Sequence, residues 1–137
     1  MPYAGRYRLI DFTLSNLVNA DVRTVGVLVR DKYRSLIDHL RSGKEWDLAR
    51  KRDGLYILPP AHSPAAANGG DIGNLYFNLD YIYASSEDFV VLCGSQTVCN
   101  LPLDQAVHYH LAVGADVTVI GRDCPDDWQG PCLTTNE

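Results

Sequence analysis

Apolar positions along the chain fall into two kinds of pattern. In Thr24-Val25-Gly26-Val27-Leu28-Val29 and in Phe89-Val90-Val91-Leu92-Cys93 they run without alternation and are rich in β-branched residues, the pattern of strands covered on both faces of a parallel sheet. Asp116 to Ile120 is expected to add a third strand. Leu55 to Leu58 reads as a further, peripheral one, because Pro59-Pro60 ends it at once. Elsewhere the spacing is three and four. Ile10, Leu14, Leu17 and Val18 mark one buried helical stripe, and Tyr33, Leu36, Ile37 and Leu40 a second. A third helix is predicted from Asp71, a good N-cap type, to about Tyr83, with Leu75, Leu79 and Ile82 inward. A fourth starts near Pro102 and stops at Gly114, residues suited to the two ends of a helix. Alternating helices and strands predict an α/β domain with a mainly parallel sheet.

Between these elements, Pro59 to Gly70 is rich in Pro, Ala, Asn and Gly and reads as a long surface loop, a kind of segment that is often functional. No repeat or linker divides the chain, so residues 1–137 are read as one partial domain. A sheet of this type normally opens with a strand, a glycine-rich turn and a helix. None of these precedes Tyr3, and no long apolar segment follows Ile120, so truncation at both ends is expected.

Composition narrows the function classes. With 137 residues and 46% apolar side chains a core can form. A net charge of -5, with acids and bases interleaved, gives no basic face for nucleic acid. The longest apolar runs fall far short of the roughly 20 residues that span a bilayer, and Met1 to Arg6 lacks the pattern of a secretory signal. A cytoplasmic protein with neither nucleic acid nor membrane as partner is expected.

Cys93, Cys99, Cys124 and Cys132 show no zinc spacing and read as reduced thiols, Cys93 as a buried small residue. His108 and His110 are two apart on a predicted helix and so on different faces. His39 and His62 have no evident companion. Arg41, Lys44, Arg50, Lys51 and Arg52 are interleaved with Glu45, Asp47 and Asp53, which suits a solvated, partly paired face. Trp46, in the same stretch, either packs this loop onto the domain or faces a partner subunit.

Gly5-Arg6-Tyr7-Arg8-Leu9-Ile10-Asp11-Phe12-Thr13-Leu14-Ser15-Asn16 is similar to the GGRYRIIDFxLSN signature of ADP-glucose pyrophosphorylases, with Ala4 in place of the first glycine. Gly43-Lys44-Glu45-Trp46-Asp47-Leu48, Arg50-Lys51-Arg52-Asp53-Gly54-Leu55 and Ile57-Leu58-Pro59-Pro60 follow in that family's order. The resemblance covers Pro2 to about Arg122. It implies a Rossmann-like nucleotidyltransferase domain, here lacking its first strand and Gly-rich loop. The implied reaction transfers AMP from ATP to glucose 1-phosphate, releasing pyrophosphate, in a tetramer whose catalytic domain precedes a β-helix.

That chemistry gathers several negative charges and calls for cations, N–H donors and Mg²⁺ held by carboxylates. Where the family has a GDHIYK-like motif, this chain has Gly94-Ser95-Gln96-Thr97-Val98-Cys99. Ser95 therefore takes the position of the metal-holding aspartate and Cys99 that of the lysine. A neutral hydroxyl is a poor ligand for Mg²⁺. Asp88 or Asp104 could substitute, although they sit on different elements. The GTADA-like segment corresponds to Gly70-Asp71-Ile72-Gly73-Asn74. Gly69 and Gly70 could let backbone approach a sugar nucleotide, or form a flexible helix entry capped by Asp71. Arg6 and Arg8 are candidate contacts for an anionic sugar-phosphate effector; alternatively Arg8 ties the turn to Asp11 or a neighbouring carboxylate.

No residue is assigned a catalytic or metal-binding role in this chain. These substitutions resemble the second glycogen-biosynthesis subunit found beside the catalytic one. A regulatory or assembly subunit is therefore expected, without a cofactor of its own, partnered by the catalytic ADP-glucose pyrophosphorylase subunit, by itself, or by both. The alternatives are an active, Mg²⁺-dependent glucose-1-phosphate adenylyltransferase completed by segments outside the chain, and a remnant without activity.

Overall fold

Residues 24–28 and 54–58 hold the apolar runs that can hydrogen-bond side by side, and they do so. In the computed structural model, which describes residues 2–3, 7–30, 33–50, 53–60, 70–96 and 98–121, the chain divides into two compact units, Met1–Leu101 and Pro102–Glu137. In the first unit a short antiparallel pair, β1 (Pro2–Tyr3) and β2 (Tyr7–Arg8), leads into helix α1 (Leu9–Asn19). Strand β3 (Thr24–Leu28), helix α2 (Arg34–Leu40), a 3-10 turn (Lys44–Trp46) and strand β4 (Gly54–Leu58) follow. Helices α3 (Gly70–Phe77) and α4 (Leu79–Tyr83) complete the described elements of that unit. The second unit contains α5 (Leu103–Val113).

The expected α/β organisation with parallel strands is present. β3 and β4 pair in parallel from Thr24↔Gly54 to Leu28↔Leu58, and the Gly54 N–H to Arg23 carbonyl bond (2.7 Å) and the Val29 N–H to Leu58 carbonyl bond (3.1 Å) extend the pairing at each end. A parallel pair needs a crossover, and α2 with the 3-10 turn supplies it. Ile10, Leu14 and Leu17 on α1 form the predicted stripe and are buried with Val25, Val29, Leu40, Leu48 and Leu58. Each such side chain contributes roughly 1.5–3 kcal/mol of burial energy. Among the described residues no helix is long and apolar enough to cross a membrane.

The signature residues between α2 and β4 have a packing reason. The Leu48 N–H donates to the Gly43 carbonyl (3.0 Å) and the Leu55 N–H to the Leu48 carbonyl (3.1 Å), folding 43–55 onto itself with Leu48 inside. Gly54 sits at φ 98°, and a Cβ there would lie 2.5 Å from the Leu48 carbonyl oxygen, a backbone atom that cannot step aside. At Gly26 the missing side chain leaves room for Tyr81: a Cβ would meet its ring at 2.7 Å and Leu58 at 2.9 Å. The Tyr81 ring packs against Tyr56 with centroids 5.3 Å apart.

Three expectations need correction. Phe89–Cys93 and Asp116–Ile120 carry no strand ladder, and Val90, Leu92, Val117 and Val119 are exposed. β-branched composition favours extended backbone, but a strand also needs a neighbour to take its N–H and C=O groups, and no described strand lies alongside either segment. The helix expected over 71–83 is broken at Asn78, whose backbone leaves the helical region (φ -103°, ψ 20°). The fourth helix matches, with Pro102 as N-cap and Gly114 in the left-handed conformation at its end.

Two outcomes follow. Gly54→Ala should lower stability by about 2–3 kcal/mol, since it adds a backbone clash to conformational strain; Gly70→Ala, also at positive φ but with nothing within 4 Å, should cost only about 1 kcal/mol. Urea midpoints at constant slope measure both. Burial, with Tyr56 alongside, raises the Tyr81 phenol above its ordinary value of 10.0. The folded chain then keeps a proton that the unfolded chain has released, so stability is intact below that pH and falls above it. Tyr81→Phe should flatten this alkaline loss. Near pH 7 it should cost less than about 1 kcal/mol, because the buried hydroxyl has no partner among the described residues.

Candidate functional site

Open α/β sheets bind ligands beyond the carboxyl ends of their strands, where this chain passes through Val29-Arg30 and Pro59-Pro60. Two buried asparagines bring α3 and α4 to that edge. Asn74 Nδ2 donates to the Val29 carbonyl (3.1 Å), while Asn78 Nδ2 donates to the Pro59 carbonyl (3.1 Å) and the Asn74 carbonyl (2.8 Å). The first bond takes up the carbonyl of buried Val29, which would otherwise be left unsatisfied. The Asn78 bonds explain the helix break, because Asn78 turns its amide to the sheet.

Gly70, at φ 61°, opens α3 at this edge, and Asp71 stands in its first turn. Asp71 was expected to cap the helix. Its carboxylate instead accepts from Arg30 Nε (3.0 Å) and Nη2 (2.7 Å). Both side chains are largely exposed, so the pair is worth roughly 0–1 kcal/mol, and an incoming anion can exchange with Asp71 for the guanidinium. Gly69 lies outside the described residues.

A second cluster surrounds the start of α1. Arg8 donates through Nη1 to the Ser35 carbonyl (2.7 Å) and through Nη2 to Ser35 Oγ (3.0 Å), fastening β2 to the first turn of α2. Its backbone N–H donates to Asp11 Oδ2 (2.9 Å), half of a capping box. Asp11 Oδ1 meets His39 Nε2 at 2.7 Å, with both side chains mostly buried. Trp46 lies edge-on to His39, centroids 6.4 Å apart, so it packs this loop onto the domain. Of the two candidate effector arginines, Arg6 lies outside the described residues, and Arg8 already has partners for both terminal nitrogens.

The third region is 93–100. Ser95 is exposed in a bend, and the segment rests on α1: Asn16 Nδ2 donates to the Cys99 carbonyl (2.6 Å), and Thr13 Oγ1 makes a long contact with the Gly94 carbonyl (3.5 Å). Ser95 by itself is a poor ligand for Mg²⁺. Ser95 contributes a neutral oxygen, and among the described residues no group of three or more His, Cys, Asp or Glu is placed to hold a metal. Asp88 is exposed, and Asp104 belongs to the second unit.

Cys93 is exposed, contrary to expectation, since no neighbouring strand covers the run it ends. Partial desolvation, helped by nearby Cys99, nevertheless holds its thiol above the ordinary value. Cys99 is also exposed, and Cys124, Cys132, His62, Lys51 and Arg52 lie outside the described residues. Arg50 pairs with Asp47, as a solvated face would. His108 is exposed, while His110 Nδ1 meets Thr118 Oγ1 at 2.8 Å. The sequence reading missed Arg30, gave Asn74 and Asn78 no contact role, and took His39 to lack a companion, whereas Asp11 faces it. The asparagines did carry a signal: two amides four apart on the inward face of a predicted helix need buried partners.

Parallel strands joined through a helical crossover, with helices delivered to their carboxyl ends, define an α/β domain of the nucleotide-handling kind. The comparisons agree: the nucleotidyl transferase family model matches residues 1–127, and the chain belongs to that family. It is 46% identical over 124 residues to the glycogen biosynthesis protein GlgD of Bacillus subtilis (strain 168), covering 90% of this chain and 36% of that protein. It is 42% identical over 125 residues to GlgD of Geobacillus stearothermophilus, covering 88% and 36%. To the glucose-1-phosphate adenylyltransferase of Pseudothermotoga lettingae it is 35% identical over 128 residues, covering 93% and 30%. The chain thus spans about a third of the length of these relatives. No solved structure matches it at a significant level.

Asn78→Ala should cost about 1–3 kcal/mol, because it strands the Pro59 carbonyl. Combined with Asn74→Ala, the loss should be non-additive, since the two amides touch. A double-mutant cycle from urea unfolding gives the coupling, and strict additivity would contradict a shared clamp.

Proposed function

We propose that this chain is part of a subunit that regulates or assembles an ADP-glucose-forming enzyme in glycogen biosynthesis and does not itself transfer the nucleotide. The observation that carries this reading is Ser95. At the position that the resemblance gives to a metal-holding aspartate, the chain presents an exposed, uncharged hydroxyl with no cluster of acids among the described residues to replace it. Phosphoryl chemistry without a metal-holding carboxylate loses its main means of neutralising developing charge. The higher identity to proteins named GlgD than to the adenylyltransferases supports the same reading.

Its partners would be a catalytic homologue, a second copy, or both, acting in the cytoplasm. Arg6 and Arg8 are the candidate contacts for a sugar-phosphate effector, Arg8 by exchanging its Ser35 bonds for a phosphate. The sugar-nucleotide role proposed for Gly69, Gly70 and Asp71 gains Arg30 as a cation beside Asp71. The second reading is an active glucose-1-phosphate adenylyltransferase using Mg²⁺, which the 35% identity to enzymes of that name favours.

Mixing the chain with a catalytic glucose-1-phosphate adenylyltransferase tests the proposal. Heteromer formation by sedimentation is expected, together with a shifted activator response that Arg8→Ala weakens. The chain alone should release no pyrophosphate from ATP and glucose 1-phosphate. Magnesium-dependent release by the chain alone would establish the second reading, and failure to associate would remove the assembly role.

A further inference from the structure

The segment that carries Ser95 is bracketed by two thiols. Cys93 precedes Gly94 and Cys99 closes the stretch, both reduced and exposed. Stretched out, the backbone from 93 to 99 could span roughly 20 Å. Both of its ends instead meet α1, one helical turn apart. Thr13 reaches the Gly94 carbonyl and Asn16 holds the Cys99 carbonyl, and side chains three apart on a helix have Cβ atoms roughly 5–6 Å from one another. Burial, and after it Cys99, raises the Cys93 thiol above its ordinary value. Residues 94–96 belong to no strand, and a Cβ on Gly94 would meet nothing within 4 Å.

We propose that Cys93 and Cys99 form a dithiol modification site that oxidises to an intramolecular disulfide, closing the loop that holds Ser95. The co-reactant is a low-molecular-weight disulfide. The Cys99 thiolate attacks one of its sulfurs, forming a mixed disulfide and expelling one thiolate. Burial raises the Cys93 thiol above its ordinary value, which lowers its thiolate fraction and assigns it the second step. It then loses its proton to solvent and attacks the Cys99 sulfur, expelling the second thiolate. Two protein thiols are oxidised by two electrons, the external disulfide is reduced to two thiols, and the two protons end on those products. Asn16 is the positioning residue, because its bond holds the Cys99 backbone on α1, one turn from where Thr13 meets the Gly94 carbonyl. The site is independent of whether the family reaction takes place in this protein.

The test uses the 137-residue chain carrying Cys124→Ser and Cys132→Ser, equilibrated in glutathione buffers of increasing oxidised fraction, then alkylated and mass-mapped. The expected product is a chain two hydrogens lighter, with the 93–99 peptide cross-linked and glutathione bound only transiently. Cys93→Ser should convert this to stable glutathione adduction at Cys99. Asn16→Ala should lower the effective concentration of the pair by about tenfold, as a tether that no longer presents one partner to the other. Stable glutathionylation at both cysteines without a cross-link, or no oxidation in the most oxidising buffer, would overturn the proposal. Both results are read on the parent chain, so they stand even where Asn16→Ala fails to fold.

Discussion

A carboxylate removed from water must be surrounded by donors or it destabilises the fold, and the first unit is organised around one that is. Asp11 is buried at the start of α1. One oxygen takes the Arg8 backbone N–H and the other faces the His39 ring, which Trp46 flanks. Helix entry, the inner side of α2 and the 3-10 turn therefore converge on a single side chain. The signature through residues 5–16 combines this anchor with the α1 stripe. Ile10, Leu14 and Leu17 supply burial, while Asp11 fixes where the helix begins.

The carboxyl ends of the strands are held by amides instead of a charge. Asn74 and Asn78 take up the carbonyls of Val29 and Pro59, which sets the start of α3 beside Arg30. Neutral donors suit this place because the carbonyl of buried Val29 needs a partner there. The exposed Arg30–Asp71 pair is left as the adjustable part of the edge. Precise placement comes from the buried amides, and electrostatic adaptability from the solvated ion pair.

Much of the fold was legible because it rests on local pattern. The α1 and α2 stripes, the β3 and β4 runs and the Pro102 to Gly114 helix are periodicities that a sequence displays directly. What failed depended on neighbours: Phe89–Cys93 has strand composition without a described strand beside it, and a predicted 71–83 helix was divided by a side chain whose partner, Pro59, lies nineteen positions away. The candidate site divides similarly. Ser95 was conspicuous as a missing charge. The Asp11–His39 contact joins residues twenty-eight positions apart with no spacing rule to announce it, and Arg30 acquires interest only once α3 arrives.

The division of the helix at Asn78 has a mechanical consequence. One amide group both marks the pivot between α3 and α4 and grips the chain where β4 ends, so rotation of α3 about that point pulls on the sheet. Asn74 also grips the Val29 carbonyl from within α3, so the helix cannot turn about Asn78 without drawing on the ends of both strands.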